Sequence, residues 1–203
     1  MLQIIPYNLP DFDIFNATES TFKIWIPDNT YIVLGAANNA EDSLNIENVI
    51  SDNIPVMKRK SGGMAVVLSP KTIVIASLWY GQYLNQPKEI FYQTNSIIIQ
   101  SLEKLRIKGL SQQGISDIAI NEKKILGSSI YKSKDKIFYH AVLNYAENTK
   151  TFERYLKHPK REPEYRKGRN HNEFVTSIVE CGYQCSLENV TVILNENLLQ
   201  LFL

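Results

Sequence analysis

"SDIAINEKKILGSSIYK", residues 116–132, alternates apolar and polar positions on either side of the polar run Asn121 to Lys123. That alternation predicts two antiparallel strands joined by a tight turn. The first strand carries an acid, Asp117, and the second a base, Lys124, so the hairpin brings a carboxylate and an ammonium to adjacent arms. Such a pair suits a metal ion and a phosphate at one site; it equally suits an exposed hairpin with lysines at its tip. Gly127, Ser128 and Ser129 follow as a strand segment almost bare of side chains, with two hydroxyls.

Upstream, strand signals dominate. "FKIWIP" and "TYIVLGAA" flank the turn formers Pro27, Asp28 and Asn29, and "GMAVVLS" and "TIVIASLWY" flank Pro70 and Lys71. Each pair reads as a hairpin, and both hairpins as parts of one sheet. Between them Leu44, Ile46, Val49 and Ile50 keep near-helical spacing, which predicts a short helix leading into a strand over residues 54–58. From residue 89 to 107, Ile90, Phe91, Ile97, Ile98, Leu102 and Leu105 follow a 3.6 period. Asn85 or Gln86 with Pro87 opens that helix and Gly109 ends it. Downstream, "IFYHAVLNY" reads as a strand, and Ser186 is a good N-cap for a last helix through Leu198. Strands and helices mix without regular βαβ alternation, so the expected class is α+β, a mainly antiparallel sheet flanked by helices.

Composition narrows the partners. With 203 residues, 44% of them hydrophobic, the chain has enough apolar material for a real core. The net charge of +1 conceals an asymmetry: residues 1–57 hold eight acids and one base, and the remainder holds 21 bases against 13 acids. A positive half in a near-neutral protein fits an anionic ligand or an acidic partner rather than nucleic acid, which calls for a strongly basic domain. The apolar start is broken by Pro6 and Pro10, and no run approaches the length of a membrane span, so a cytoplasmic location and no membrane partner are expected. Cys181 and Cys185 are one residue too far apart for a CxxC pair and read as free thiols.

"KRKSGGMAV", residues 58–66, sets three cations before a Ser-Gly-Gly turn. Glycines 62 and 63 let backbone N–H groups approach a ligand, an anion-binding loop in outline, although Gly-Gly is also ordinary turn chemistry. The stretch is neither of the standard nucleotide loops, GxxxxGK[ST] or GxGxxG. His140, in "YHAVLN", stands in an apolar strand, where a hydrogen-bonded core histidine is the commoner reading. Residues 150–170 contain eight bases and three acids, with Arg166 and Arg169 in the run "EYRKGRNHNEF".

In their order and spacing these segments resemble the group formed by lipoate-protein ligase A, biotin ligases and octanoyltransferases. "RKSGGMAVV" is similar to the group's Arg-Arg-x-Ser-Gly-Gly-Gly-Ala-Val loop, "KKILGSS" to its Lys-(Ile/Val)-x-Gly-Ser motif, and "YHAVLN" to its His-Gly-Thr-Leu-Leu strand. The resemblance runs over about residues 25–200 and implies a single biotin/lipoate ligase (class II synthetase-like) catalytic domain over residues 1–203, with no C-terminal accessory domain. It also implies a lipoate-protein ligase, in which ATP activates lipoate or octanoate to an acyl-adenylate and the acyl group passes to a lysine of a lipoyl carrier domain. That carrier is a 2-oxoacid dehydrogenase E2 or a glycine cleavage H protein, and either the accessory domain is a separate polypeptide or the full adenylation cycle is absent.

Lys124 matches the group's catalytic lysine. Arg59, Ser61, Gly62, Gly63, Asp117, Gly127 and Ser128 are implied to bind ATP and the acyl-adenylate, and Asp117 to bind Mg²⁺. Met64, Ala65, His140 and Ala141 are implied to line the acyl pocket, and Arg166 and Arg169 to dock the carrier. There are departures: Met64 replaces the loop's third glycine, Ala141 the glycine after the histidine, and Leu126 and Ser129 alter the lysine motif. Two other readings therefore remain. One is an ATP-independent octanoyltransferase with Cys181 as nucleophile; the other is a non-catalytic acyl binder or ligase subunit in which Met64 closes the loop.

Overall fold

The structure, a computed structural model, describes residues 2–203, with nothing to say of the side chains of residues 82 and 83. Strands β1 (Ile4–Pro6), β2 (Thr21–Trp25), β3 (Tyr31–Leu34), β4 (Val56–Lys58), β5 (Val66–Leu68) and β6 (Thr72–Trp79) occupy the first part of the chain, with helices α1 (Ala40–Ser43) and α2 (Ile46–Ser51) between β3 and β4. Helix α3 (Pro87–Lys104) follows, then β7 (Leu110–Gln113), β8 (Asp117–Ile120), β9 (Lys123–Lys132) and β10 (Ile137–Asn144). Helices α4 (Thr149–Tyr155), α5 (His171–Phe174) and α6 (Leu187–Leu199) complete the chain.

The strands form two sheets. A six-stranded antiparallel sheet runs β2-β6-β10-β9-β8-β7, and a four-stranded mixed sheet runs β1-β4-β3-β5. The two expected hairpins are therefore not formed. β2 pairs with β6 while β3 pairs with β4 and β5, so each supposed turn is a corner that carries the chain from one sheet to the other. The connectors are the cause. Pro27 to Asn29 and Pro70 to Lys71 end a strand without returning it, and β6, buried at all eight positions, needs long partners on both edges and takes β2 and β10.

Alternation along the large sheet assigns its faces. Ile73, Ile75 and Trp79 of β6 and Ile137, Tyr139 and Leu143 of β10 share one core with Ile90, Ile98 and Leu102 of α3 and Val190, Leu194 and Leu198 of α6. α3 is opened by Pro87 and stops at Lys104, because Arg106 takes a left-handed φ of 63°. Gly109, the expected stop, lies beyond the end, where a Cβ would come within 2.4 Å of Asn121 Oδ1. The opposite face of the sheet carries Val74, Ala76, Gly127, Ser129, His140 and Val142, aligned by the pairs His140–Ala76, His140–Ser129 and Val142–Gly127. Small residues on this face leave room between the two sheets. Among the described residues no helix is long and apolar enough to cross a membrane.

Candidate active site

A cleft of two lobes occupies that room. One lobe, of about 320 Å³, is lined by Tyr7, Val33, Leu68, Val74, Ser129 and His140. The other, of about 170 Å³, is lined by Thr72, Asn144, Phe152, Arg166, His171 and Phe174. Met64, Lys124, Gly127 and Val142 line both and form the divide.

Lys124 and Asp117 meet across the hairpin, Nζ to Oδ1 at 2.9 Å. Asn121 and Glu122 take φ of 47° and 64°, the two left-handed residues of the tight turn. A bulge then slips the register, with Ile118 opposite Leu126 but Ala119 opposite Lys124. Ile125 and Leu126 are consequently both buried, and the Lys124 side chain swings over Gly127. A Cβ at Gly127 would lie 2.7 Å from both Cε and Nζ of Lys124, so the glycine is the seat of the ammonium. Asp117 Oδ1 also accepts from Ser116 Oγ at 3.1 Å and Oδ2 from the Tyr165 hydroxyl at 2.9 Å. Burial, then the Asp117 charge, pushes the Tyr165 phenol up, so it remains a donor.

A magnesium ion at Asp117 would have to displace donors, since both carboxylate oxygens already take them. Asp117 is built as the counter-ion that holds Lys124.

The Ser-Gly-Gly loop is fastened from within. Arg59 is buried; its Nε donates to Ser61 Oγ at 3.0 Å, Nη1 to the Val33 carbonyl at 3.1 Å, and Nη2 to the Gly62 and Met64 carbonyls at 2.7 and 2.9 Å. Burial lowers its pKa to about 10, which leaves it charged at neutral pH. In this structure the guanidinium braces the loop, and Arg59 also lines the larger lobe. Gly63 has φ 85°, and Gly35 supports the loop from below, since a Cβ there would fall 2.0 Å from the Gly63 carbonyl oxygen. Met64 is half-buried and lines both lobes.

At the far end of the larger lobe His140 Nε2 lies 2.6 Å from Ser61 Oγ and 2.7 Å from Ser129 Oγ. Its Nδ1 faces Asp11 Oδ2 at 3.9 Å. Desolvation is the largest influence on the ring and lowers its pKa, so it is neutral near pH 7. The carboxylate favours the tautomer with the proton on Nδ1, which leaves Nε2 to accept from Ser61. Asp11, fully buried, takes the Tyr7 hydroxyl at 2.6 Å and Trp25 Nε1 at 3.1 Å, both on Oδ1. Asp11→Ala strands these two donors and is expected to destabilise the fold by about 2–4 kcal/mol, with Asp11→Asn costing less because it keeps an acceptor. Thermal unfolding of the two variants is the check; an alanine variant as stable as the parent would show that the network adds nothing.

Other expected site residues fall differently. Ala141 is 1% exposed, on the helix face of β10, so its side chain packs in the α3–α6 core and only its backbone borders the larger lobe. Ser128 Oγ is spent on the Ser116 carbonyl at 2.7 Å. Ala65 lines both lobes. Arg166 is 4% exposed, and Arg169 donates to the Arg166, Glu122 and Tyr165 carbonyls, so neither presents the free guanidinium expected of a docking patch. Both stack on Phe174, at 4.8 and 5.3 Å, because the loop folds back over that ring. Cys181 lines neither lobe.

The lipoyl protein ligase A/B catalytic domain matches residues 13–198. The chain belongs to that family. Within it, the chain is 28% identical to lipoate-protein ligase A of Psychrobacter cryohalolentis over 151 residues, 73% of this chain and 42% of that protein. The chain spans about two fifths of the length of the first curated family members it matches. In three dimensions it superposes on the bipartite lipoate protein ligase of Thermoplasma acidophilum, studied with its E2 lipoyl domain. The TM-score is 0.81 at 16% identity, over 98% of this chain and 82% of that one. A lipoate-protein ligase A structure with bound ATP superposes with a TM-score of 0.79 at 17% identity, over 98% and 83% of the two chains. At these identities the superpositions establish the ligase fold.

Proposed function

We propose that this chain is the catalytic domain of a lipoate-protein ligase, with the acyl chain in the His140 lobe, the nucleotide in the Phe174 lobe and the two reacting ends meeting at Lys124. The observation that carries this reading is the placement of one Asp117-held ammonium on the divide between two lobes, one of which is lined also by Lys157, Arg161 and Arg166. A carboxylate oxygen of lipoate or octanoate attacks the α-phosphorus of ATP, the bond to the bridging oxygen breaks, and pyrophosphate leaves. A fixed cation there offsets charge on both the acyl carboxylate and the phosphate as they approach, and it costs no reorganisation during the step. An amine of the carrier lysine then attacks the acyl carbonyl and AMP departs.

The ATP-bound ligase of the same fold supports the nucleotide assignment, and the bipartite archaeal ligase supports a lipoyl domain as partner and a separate accessory chain. Carrier docking moves from Arg166 and Arg169 to the exposed bases Lys150, Lys160 and Lys167 of the same basic stretch. The transferase alternative lacks its nucleophile in the cleft, since Cys181 lies outside both lobes. Release of pyrophosphate from ATP that depends on lipoate or octanoate tests the proposal; release absent with either acid, with and without an E2 lipoyl domain, would sink it.

Met64 decides between ligase and passive binder. A thioether on the divide narrows the passage that a glycine would leave open, which favours a slim octanoyl chain over a dithiolane ring. Met64→Gly is expected to raise lipoate affinity relative to octanoate by roughly tenfold, the scale of one or two methylene-sized contacts. Competition binding with the two acids measures the ratio. ATP-dependent activity that appears only in the glycine variant would make the parent chain a binder.

A further inference from the structure

Arg166 was grouped above with residues that hold a loop together, but its bonding is incomplete. Nε donates to the Arg169 carbonyl at 2.9 Å and lies 3.4 Å from Glu162 Oε2, and the guanidinium carbon sits 4.8 Å over the Phe174 ring. Nη2 is buried and has no acceptor among the described residues. A charged donor withdrawn from water and left without a partner is costly, and a folded chain rarely keeps one without use. Arg166 lines the Phe174 lobe, in company with Lys124, Lys157 and Arg161. Asp42 is the carboxylate on that lining, and it is taken by Lys160 at 2.7 Å. Glu162, the other acid near the guanidinium, is engaged by the Gly168 N–H at 2.7 Å and faces His158 at 3.5 Å. The lobe therefore offers an anion a rigid, desolvated donor plus two exposed cations at its rim, Lys157, whose ammonium donates to the Glu41 carbonyl at 2.6 Å, and Arg161.

We propose that Arg166 is a phosphoryl-binding residue, its Nη2 donating to a non-bridging oxygen of the polyphosphate that enters the Phe174 lobe, while Lys157 and Arg161 close on the same group from the rim. This rests on the nucleotide reading of that lobe and adds the residue that fixes the phosphates. Phe174 holds the guanidinium plane and the Arg169 carbonyl fixes its rotation about Nε, so the group is held rigid at the wall of the lobe with Nη2 unspent. Arginine suits the position because its planar fork pairs with phosphate oxygens in a set direction, which a lysine does not reproduce.

The test uses the full chain, with ATP, inorganic pyrophosphate and octanoate as separate titrants, on the parent, Arg166→Lys and Arg166→Gln. Arg166→Gln is expected to weaken ATP and pyrophosphate binding about 10- to 100-fold, as for a lost charge-assisted hydrogen bond. Octanoate binding should be unchanged, and Arg166→Lys should recover part of the loss. Arg166→Gln also gives up the Arg169 carbonyl, the Glu162 contact and the Phe174 stack, so a small drop in unliganded melting temperature is expected, and unchanged octanoate binding shows that the cleft is intact. Equal ATP and pyrophosphate affinity in parent and Arg166→Gln overturns the proposal, as does a parallel loss of octanoate binding and melting temperature, the mark of a structural arginine. A parent that binds pyrophosphate through Arg166 but does not bind ATP supports the anion site and refutes the nucleotide reading.

Discussion

Lys124→Ala is expected to lower acyl-adenylate formation by at least about 10²- to 10³-fold, the cost of removing one preorganised group from a developing charge. The fold should survive. Asp117 Oδ1 keeps the Ser116 hydroxyl and Oδ2 keeps the Tyr165 hydroxyl, so the carboxylate is not left without donors when the ammonium goes. The Lys124 side chain is itself 28% exposed, and the backbone contacts at its position, the Lys124–Val175 bridge and the Thr176 N–H on the Lys124 carbonyl, do not depend on the side chain. Formation of the acyl-adenylate in a single turnover, beside a thermal melt of the same variant, separates chemistry from folding. An alanine variant with near-parental rates would remove Lys124 from the reaction.

Much of this site was legible in the sequence, and the unread parts share a cause. The Asp117–Lys124 pair followed from alternation around Asn121 to Lys123, a signal spanning a dozen residues. Gly127 followed from the same stretch. Strand and helix positions were mostly legible too, because period and punctuation are local. Pairing was not: Pro27 to Asn29 looks the same whether it returns a strand on itself or hands it to another sheet, and only the burial of β6 on both faces decides. The bracing contacts of Arg59 were not legible because its acceptors, the Val33, Gly62 and Met64 carbonyls, come from two elements that fold together. Asp11 was missed altogether. Its signal, an acid inside the apolar run "LPDFDIF", exists, but the partners Tyr7, Trp25 and His140 lie 4, 14 and 129 residues away in the chain, and nothing local ties them to it. Arg166 shows the opposite error. A run of bases reads as one solvated face, yet here Phe174 draws two of them inward and leaves the rest outside.

Gly127→Ala is expected to cost turnover about 10²-fold without a comparable loss of stability, the scale of a displacement of roughly 1 Å in a reacting constellation. Two glycines of the cleft contrast in what a methyl group would meet. At Gly35 the obstacle is the Gly63 carbonyl oxygen, at 2.0 Å, so backbone must move and the Ser-Gly-Gly loop with it. At Gly127 the obstacle is Cε and Nζ of Lys124, at 2.7 Å, the far end of a flexible side chain, and Gly127 has no left-handed φ to forbid a Cβ. The lysine will yield before the strand does. Its ammonium leaves the seat beside Asp117, and the cation is then present but misplaced when carboxylate and phosphate approach. Steady-state kinetics should show the loss in kcat rather than in the KM for the acid, with the melting temperature close to that of the parent. The double variant with Lys124→Ala is the sharper test. If Gly127 acts by seating the lysine, its substitution adds nothing once the lysine is gone, whereas two losses that multiply would mean the new methyl group touches the ligand itself.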